Sequence, residues 1–181
     1  DTEAPVIETT GLLAGMEAGG TLKIEADFQN PDWDPSLFSA EDITASDENQ
    51  PVDIAFDAVL LEDLDSCGPE GYLQRWQLTW TATDACGQEA GFSIFLEVVD
   101  TTPPAIAETP APVVETNCED IPERPELSLV DNGRGGEVHY EQRYLDPVCD
   151  PKYRIARIWT PIDGCGKAGE TFTQLITATR S

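Results

Sequence analysis

The side chains that could do chemistry in this 181-residue chain are 35 acids, five cysteines and one histidine, set against ten bases. Six of the acids fall in short loops: Glu62, Asp63 and Asp65 between two strand patterns, Asp100 in a seam, and Asp131 and Asp163 in turns. Calcium takes six to eight oxygen ligands at about 2.3–2.6 Å, so loop carboxylates brought to one pole suit it, and these six are candidate calcium ligands. None has the spacing of an EF-hand loop, and solvated acids are the competing reading. Asp32 and Asp34, on either side of Trp33, form a weaker candidate.

Other chemistries find less support. His139 is the only histidine and sits on the outward face of its strand pattern, which argues against a histidine triad or a histidine-based zinc site. The chain has no Gly-rich phosphate loop and no Cys-x-x-Cys, and no carboxylate pair stands out for glycoside hydrolysis. The expectation is a protein that is not an enzyme. Trp33 and Tyr72 could form an aromatic platform for a sugar, although packing is the commoner fate of such rings.

The elements that position these residues follow from a repeat. Arg75 to Gly87 and Arg154 to Gly166 align without a gap, 79 positions apart, each carrying a central tryptophan and an Asp-x-Cys-Gly tip. Asp1-Thr2-Glu3-Ala4-Pro5 recurs as Asp100-Thr101-Thr102-Pro103-Pro104, so each copy opens on an Asp-Thr-x-x-Pro seam. Trp76, Leu78, Trp80 and Ala82 alternate with polar residues, which is the two-residue period of a half-buried strand, and a turn at Gly87 leads into the strand Phe92 to Val99. The predicted fold is all-β: two tandem antiparallel immunoglobulin-like β-sandwich domains, residues 1–100 and 101–181. The first carries an insertion around residues 29–42, with a short helical turn expected over Ser36 to Glu41. Val52 to Leu60 is expected to face inward on alternate residues, Val113 to Cys118 to form an edge strand, and Glu126 to Val130 to form the next strand. Arg157, in line with Trp159, is expected over an aromatic ring.

Composition limits the partners. The formal net charge is −25, which argues against nucleic acid, and no apolar run approaches the roughly 20 residues that span a bilayer. Residues 1–100 hold 22 acids and two bases, whereas residues 101–181 hold 13 acids and eight bases. The less acidic second domain could therefore abut the acidic first domain of another copy.

The seams, Asn117-Cys118-Glu119-Asp120-Ile121-Pro122, Asp131-Asn132-Gly133 and above all Trp159 to Gly166 resemble hyalin-repeat-like (HYR-like) immunoglobulin-type modules of bacterial surface and gliding-motility adhesins. The resemblance covers nearly all of residues 101–181 and mainly residues 43–104 of the first copy. It implies an extracellular, non-catalytic structural repeat on the bacterial surface, exported by the type IX route, that extends a stalk or filament and meets neighbouring modules or copies of itself. The alternative is a module that itself binds a glycan or a protein. The chain departs from the family pattern in one turn: its Asp-Asn-Cys is Asp131-Asn132-Gly133 here and Asp47-Glu48-Asn49 in the first copy.

Five cysteines in a secreted chain leave one over. Cys67 with Cys86, and Cys149 with Cys165, lie at opposite ends of one strand, about 40 Å apart at roughly 3.3 Å per residue, too far for a disulfide. An immunoglobulin-like strand order puts Cys118 and Cys149 at one pole, making them the favoured pair. A Cys67–Cys165 bridge across the seam, with Cys86 left over, stands beside free buried thiols as an alternative.

Overall fold

Alternation over Gln74–Thr83 does in the computed structural model what the sequence asks of it: Leu78, Trp80 and Ala82 are fully buried, with half-exposed polar residues between them. The structure describes residues 2–48, 51–147 and 151–180. Among these, the strands are β1 (Val6–Thr9), β2 (Thr21–Glu25), β3 (Ile43–Ser46), β4 (Asp53–Asp63), β5 (Gln74–Thr83), β6 (Glu89–Val99), β7 (Ala105–Ile106), β8 (Val113–Asn117), β9 (Leu129–Val130), β10 (Gly136–Tyr144), β11 (Lys152–Asp163) and β12 (Phe172–Thr179). The fold is all-β and immunoglobulin-like. The chain forms two compact units, one of Asp1–Ala26, Asn30–Leu64 and Gly68–Val99, the other of Asp27–Gln29, Asp65–Cys67 and Asp100–Ser181.

The first unit pairs β1 with β3 and orders its larger sheet β2-β6-β5-β4; the second pairs β7 with β9 and orders its larger sheet β8-β12-β11-β10. The sequence repeat is thus a repeat of topology. The pairing is not wholly antiparallel, because β2 lies parallel to β6 and β8 parallel to β12. In each unit the first strand of the larger sheet joins its edge beside the last strand and runs in the same direction.

Register sets the core. Trp80 faces Phe56 on β4 and Phe92 on β6, with ring centroids 5.0 and 5.9 Å away. Trp159 faces Tyr140 on β10 and Phe172 on β12 at 5.2 and 5.8 Å. Such aromatic pairs add about 0.5–1.5 kcal/mol each beyond area burial. In the first unit the inserted segment closes over the tryptophan. Phe38 meets Trp80 edge-on at 6.2 Å, and the Trp80 Nε1–H donates to the Ser39 carbonyl at 2.7 Å. Ser39 also caps a 3-10 turn at Ala40–Asp42, accepting from the Glu41 N–H while its own N–H donates to Asp42, so the expected helical turn falls at the end of the insertion. The second unit has no such segment, and Trp159 borders a cavity of about 250 Å³ lined also by Pro125, Leu127, Val138 and Tyr140.

Three local expectations shift. The buried face of β4 thins beyond Ala58: Leu60, still opposite Trp76, is 40% exposed, and the pairing slips just after it, before Glu62. The strand expected over Glu126 to Val130 is reduced to β9. Arg157 is buried, but it lies against carbonyls rather than over a ring: its guanidinium donates to Pro122 O at 2.8 Å, Glu123 O at 3.3 Å and Gln142 Oε1 at 3.2 Å. A buried guanidinium needs acceptors for its five donors, which a ring face cannot supply.

Trp80→Ala should cost about 3–5 kcal/mol, the range for emptying a large aromatic site. Trp80→Phe keeps much of the volume but gives up the hydrogen bond to Ser39, worth about 1 kcal/mol. Midpoints of equilibrium denaturant unfolding test both.

Candidate metal centre

The turn that ends β11 is built on one carboxylate oxygen. Asp163 Oδ1 accepts from the Cys165 N–H at 2.8 Å and the Lys167 N–H at 2.7 Å, while Gly166, at φ +82°, lets the chain reverse. The first unit makes the same turn: Asp84 Oδ1 accepts from the Cys86 and Gln88 N–H groups at 2.8 Å each, and Gly87 stands at φ +83°. One oxygen of the aspartate thus builds the turn, and the other is left over.

In the second unit two more aspartates are arranged the same way. Asp100 Oδ1 accepts from the Thr102 N–H at 3.2 Å, and Asp131 Oδ2 accepts from the Gly133 N–H at 3.2 Å. The remaining oxygens, Asp100 Oδ2, Asp131 Oδ1 and Asp163 Oδ2, are buried without a hydrogen bond. Asp100 and Asp163 are only 3% and 4% exposed. Their ligating oxygens and the Cys165 sulfur lie within 4.8 Å of one another. Asp131 meets Asp100 beside Gly133, where a Cβ would clash with Asp100 Oδ2 and stand 3.1 Å from Asp131 Oδ2.

The electrostatics follow from this crowding. Burial first, then the Asp131 carboxylate beside it and, more weakly, the Asp163 charge, hold the Asp100 carboxyl up at about 6 from its usual 3.8, against the pull of the Thr102 N–H. Cys165 cannot supply a thiolate, because it is disulfide-bonded to Cys67, with their Cα atoms 4.6 Å apart. The Cys67 N–H also donates to Gly164 O at 3.1 Å. The donor set is therefore oxygen alone, which suits a hard cation.

Of the six acids read from the sequence, Asp100 lies beside both Asp163 and Asp131. Glu62 accepts from the Tyr72 hydroxyl, Asp63 accepts from Gln74 Nε2 at 2.9 Å, and Asp65 is exposed. Of the weaker pair, Asp34 Oδ1 accepts from both the N–H and the hydroxyl of Ser36, at 2.9 and 2.8 Å, and Asp32 is exposed. Tyr72 is 5% exposed and serves packing rather than a sugar platform, and Trp33 is half-buried. His139 is exposed and pairs with Glu137 at 2.9 Å. Among the thiols, Cys86 is free and exposed. Cys118 is a free, half-buried thiol, and Cys149, its favoured partner from the sequence, lies outside the described residues. Tyr153 has its phenol held above the usual value by burial first and the Cys118 thiol second. Sequence reasoning missed Gly133, whose lack of a Cβ makes room for the Asp100 carboxylate. The signal was present, since that glycine is where the chain departs from the Asp-Asn-Cys pattern.

No family model matches the sequence, and no curated protein matches it. Solved structures that resemble it include Drosophila N-cadherin EC1-4, 14% identical over 99% of this chain and 50% of that one, with a TM-score of 0.37. The protocadherin GammaB4 extracellular domain is 15% identical over 98% of this chain and 34% of that one, with a TM-score of 0.40. Mouse cadherin-23 EC22-24 is 13% identical over 98% and 67%, with a TM-score of 0.37. The chain spans half or less of the first two structures.

Asp100 gives a pH signature with a definite sign. A carboxyl held at about 6 in the folded chain, against its ordinary 3.8, binds its proton more tightly when folded. Its contribution to stability is full below the lower value and is lost as pH rises through the upper one. With divalent cations chelated, denaturant midpoints measured from pH 4 to pH 7 should therefore fall more for the native chain than for Asp100→Asn, which cannot ionise. Parallel profiles would contradict this.

Proposed function

We propose that the chain is a structural repeat segment of an extracellular bacterial surface adhesin or filament, a stalk or spacer of HYR-like modules that stack on neighbours or on copies of the chain itself. The observation that carries this reading is the parallel pairing of β2 with β6 and of β8 with β12. In each unit the first strand of the larger sheet lies alongside the last, so tension along the chain loads the rungs of that ladder together instead of opening them one by one. An edge pairing of this kind suits a module that carries load.

Three further features support the reading. The topology is repeated, as in proteins built from successive modules. The Cys67–Cys165 disulfide fits an oxidising, extracellular setting. The second half carries 13 acids and eight bases against 22 and two in the first, so a second half meets the first half of another copy with less repulsion than two first halves would, a contact that salt would modulate. No helix among the described residues is long and apolar enough to cross a membrane.

Stretching single molecules by their termini tests the reading. Under reducing conditions the chain should unfold in two cooperative force peaks, one per unit; smooth extension without peaks would count against a load-bearing role. With the disulfide intact, the loop between Cys67 and Cys165, a separation of 98 residues, should stay closed. Reduction should then add about 34 nm of extension, at roughly 3.5 Å per residue. A glycan array probed with the same chain separates a spacer, which binds nothing, from a glycan-binding module.

A further inference from the structure

We propose that Asp100 and Asp163, with Asp131 set against Asp100, form a calcium site of the second unit, with the turn that presents Asp163 held in place by the Cys67–Cys165 disulfide. The inference does not depend on the load-bearing role.

The case begins with unmet charge. Each of the three carboxylates uses one oxygen on a backbone N–H and leaves the other buried without a hydrogen bond. Asp100 and Asp163 are both more than nine-tenths buried. Ionised carboxylates out of water, close to one another and without an opposite charge, are strongly unfavourable. A divalent cation between the Asp100 and Asp163 oxygens, which lie within 4.8 Å of each other, supplies the missing charge, and Asp131 against Asp100 adds to its attraction. The sulfur nearby is oxidised, so a thiolate-loving metal finds no soft ligand. Magnesium demands near-ideal octahedral geometry whereas calcium accepts irregular oxygen coordination, so carboxylates whose aim is fixed by their own turns suit calcium better.

The disulfide enters through the turn. Asp163 and Cys165 share it: the Cys165 N–H fixes Asp163 Oδ1, and Cys67 holds the residue between them through Gly164 O as well as through the sulfur bridge. Opening the bridge frees the turn and with it the aim of Asp163 Oδ2. Gly133 completes the cradle, since a side chain at that position meets Asp100 Oδ2.

Isothermal titration of calcium chloride into the full, chelator-treated chain tests the site. Saturable binding is expected, in the range of roughly 10⁻⁴–10⁻³ M found for extracellular modules, or tighter. Asp131→Asn should weaken it at least tenfold, and magnesium should bind the native chain at least tenfold more weakly. Glu126→Gln removes the same charge from a side chain that is 93% exposed and should change affinity less than twofold. The disulfide's part is read on the native chain, because linkage is reciprocal: saturating calcium should lower the fraction of Cys67–Cys165 reduced at a fixed thiol-to-disulfide ratio by threefold or more. Absence of saturable binding, equal losses in Asp131→Asn and Glu126→Gln, or magnesium binding as tightly as calcium would overturn the site. A reduced fraction indifferent to calcium would overturn its link to the disulfide.

Discussion

Each unit depends on one tryptophan held between two aromatic rings from the neighbouring strands. Trp80 lies between Phe56 and Phe92, and Trp159 between Tyr140 and Phe172, at matching positions in the register. That register fixes the rest, because a slip of one residue would turn the whole apolar set of the central strand to the opposite face. Once β5 and β11 are placed, their tips deliver Asp84 and Asp163 to the ends of the sheets, and the turn chemistry follows from the aspartates themselves.

The two units spend the same plan differently. The first adds the inserted segment, which brings Phe38 and the Ser39 carbonyl onto Trp80 and fills the space above it. The second keeps a shorter path. It leaves a cavity beside Trp159, buries Arg157 against the carbonyls of Pro122 and Glu123, and gathers three carboxylates at one end. Both units bury an aspartate at the tip of the central strand, Asp84 and Asp163, but among the described residues only the second sets further carboxylates beside it.

What was legible in the sequence was whatever depends on local periodicity. The 79-residue offset, the alternation through Trp80 and Trp159, and the Asp-x-Cys-Gly tips gave the central strands and turns directly, and Asp100, one of the six candidate acids, lies beside Asp131 and Asp163. Parallel pairing at β2 and β8 was not legible, because a strand's two-residue period is the same whichever way its neighbour runs. The burial of Tyr72 was hidden by its neighbours, since a stretch running from Cys67 through Gly68, Pro69 and Gly71 reads as loop while Leu73 and Val98 fix its end against the sheet. The carbonyl clamp on Arg157 was out of reach for another reason. It joins residues 34 and 35 positions apart, through backbone acceptors that no side-chain pattern reveals.

The account rests on two independent tryptophan-centred cores, and amide hydrogen exchange resolved to single residues addresses that claim most directly. Protection measures the free energy of opening each region, up to global unfolding for core strands. Two slow-exchanging blocks are predicted, one across Leu78–Ala82 in β5 and one across Ile155–Trp159 in β11. The second should exchange sooner, because Trp159 lacks the cover that Phe38 and Ser39 give Trp80. A single slow block, or central strands no better protected than the sheet edges β4 and β10, would contradict the account.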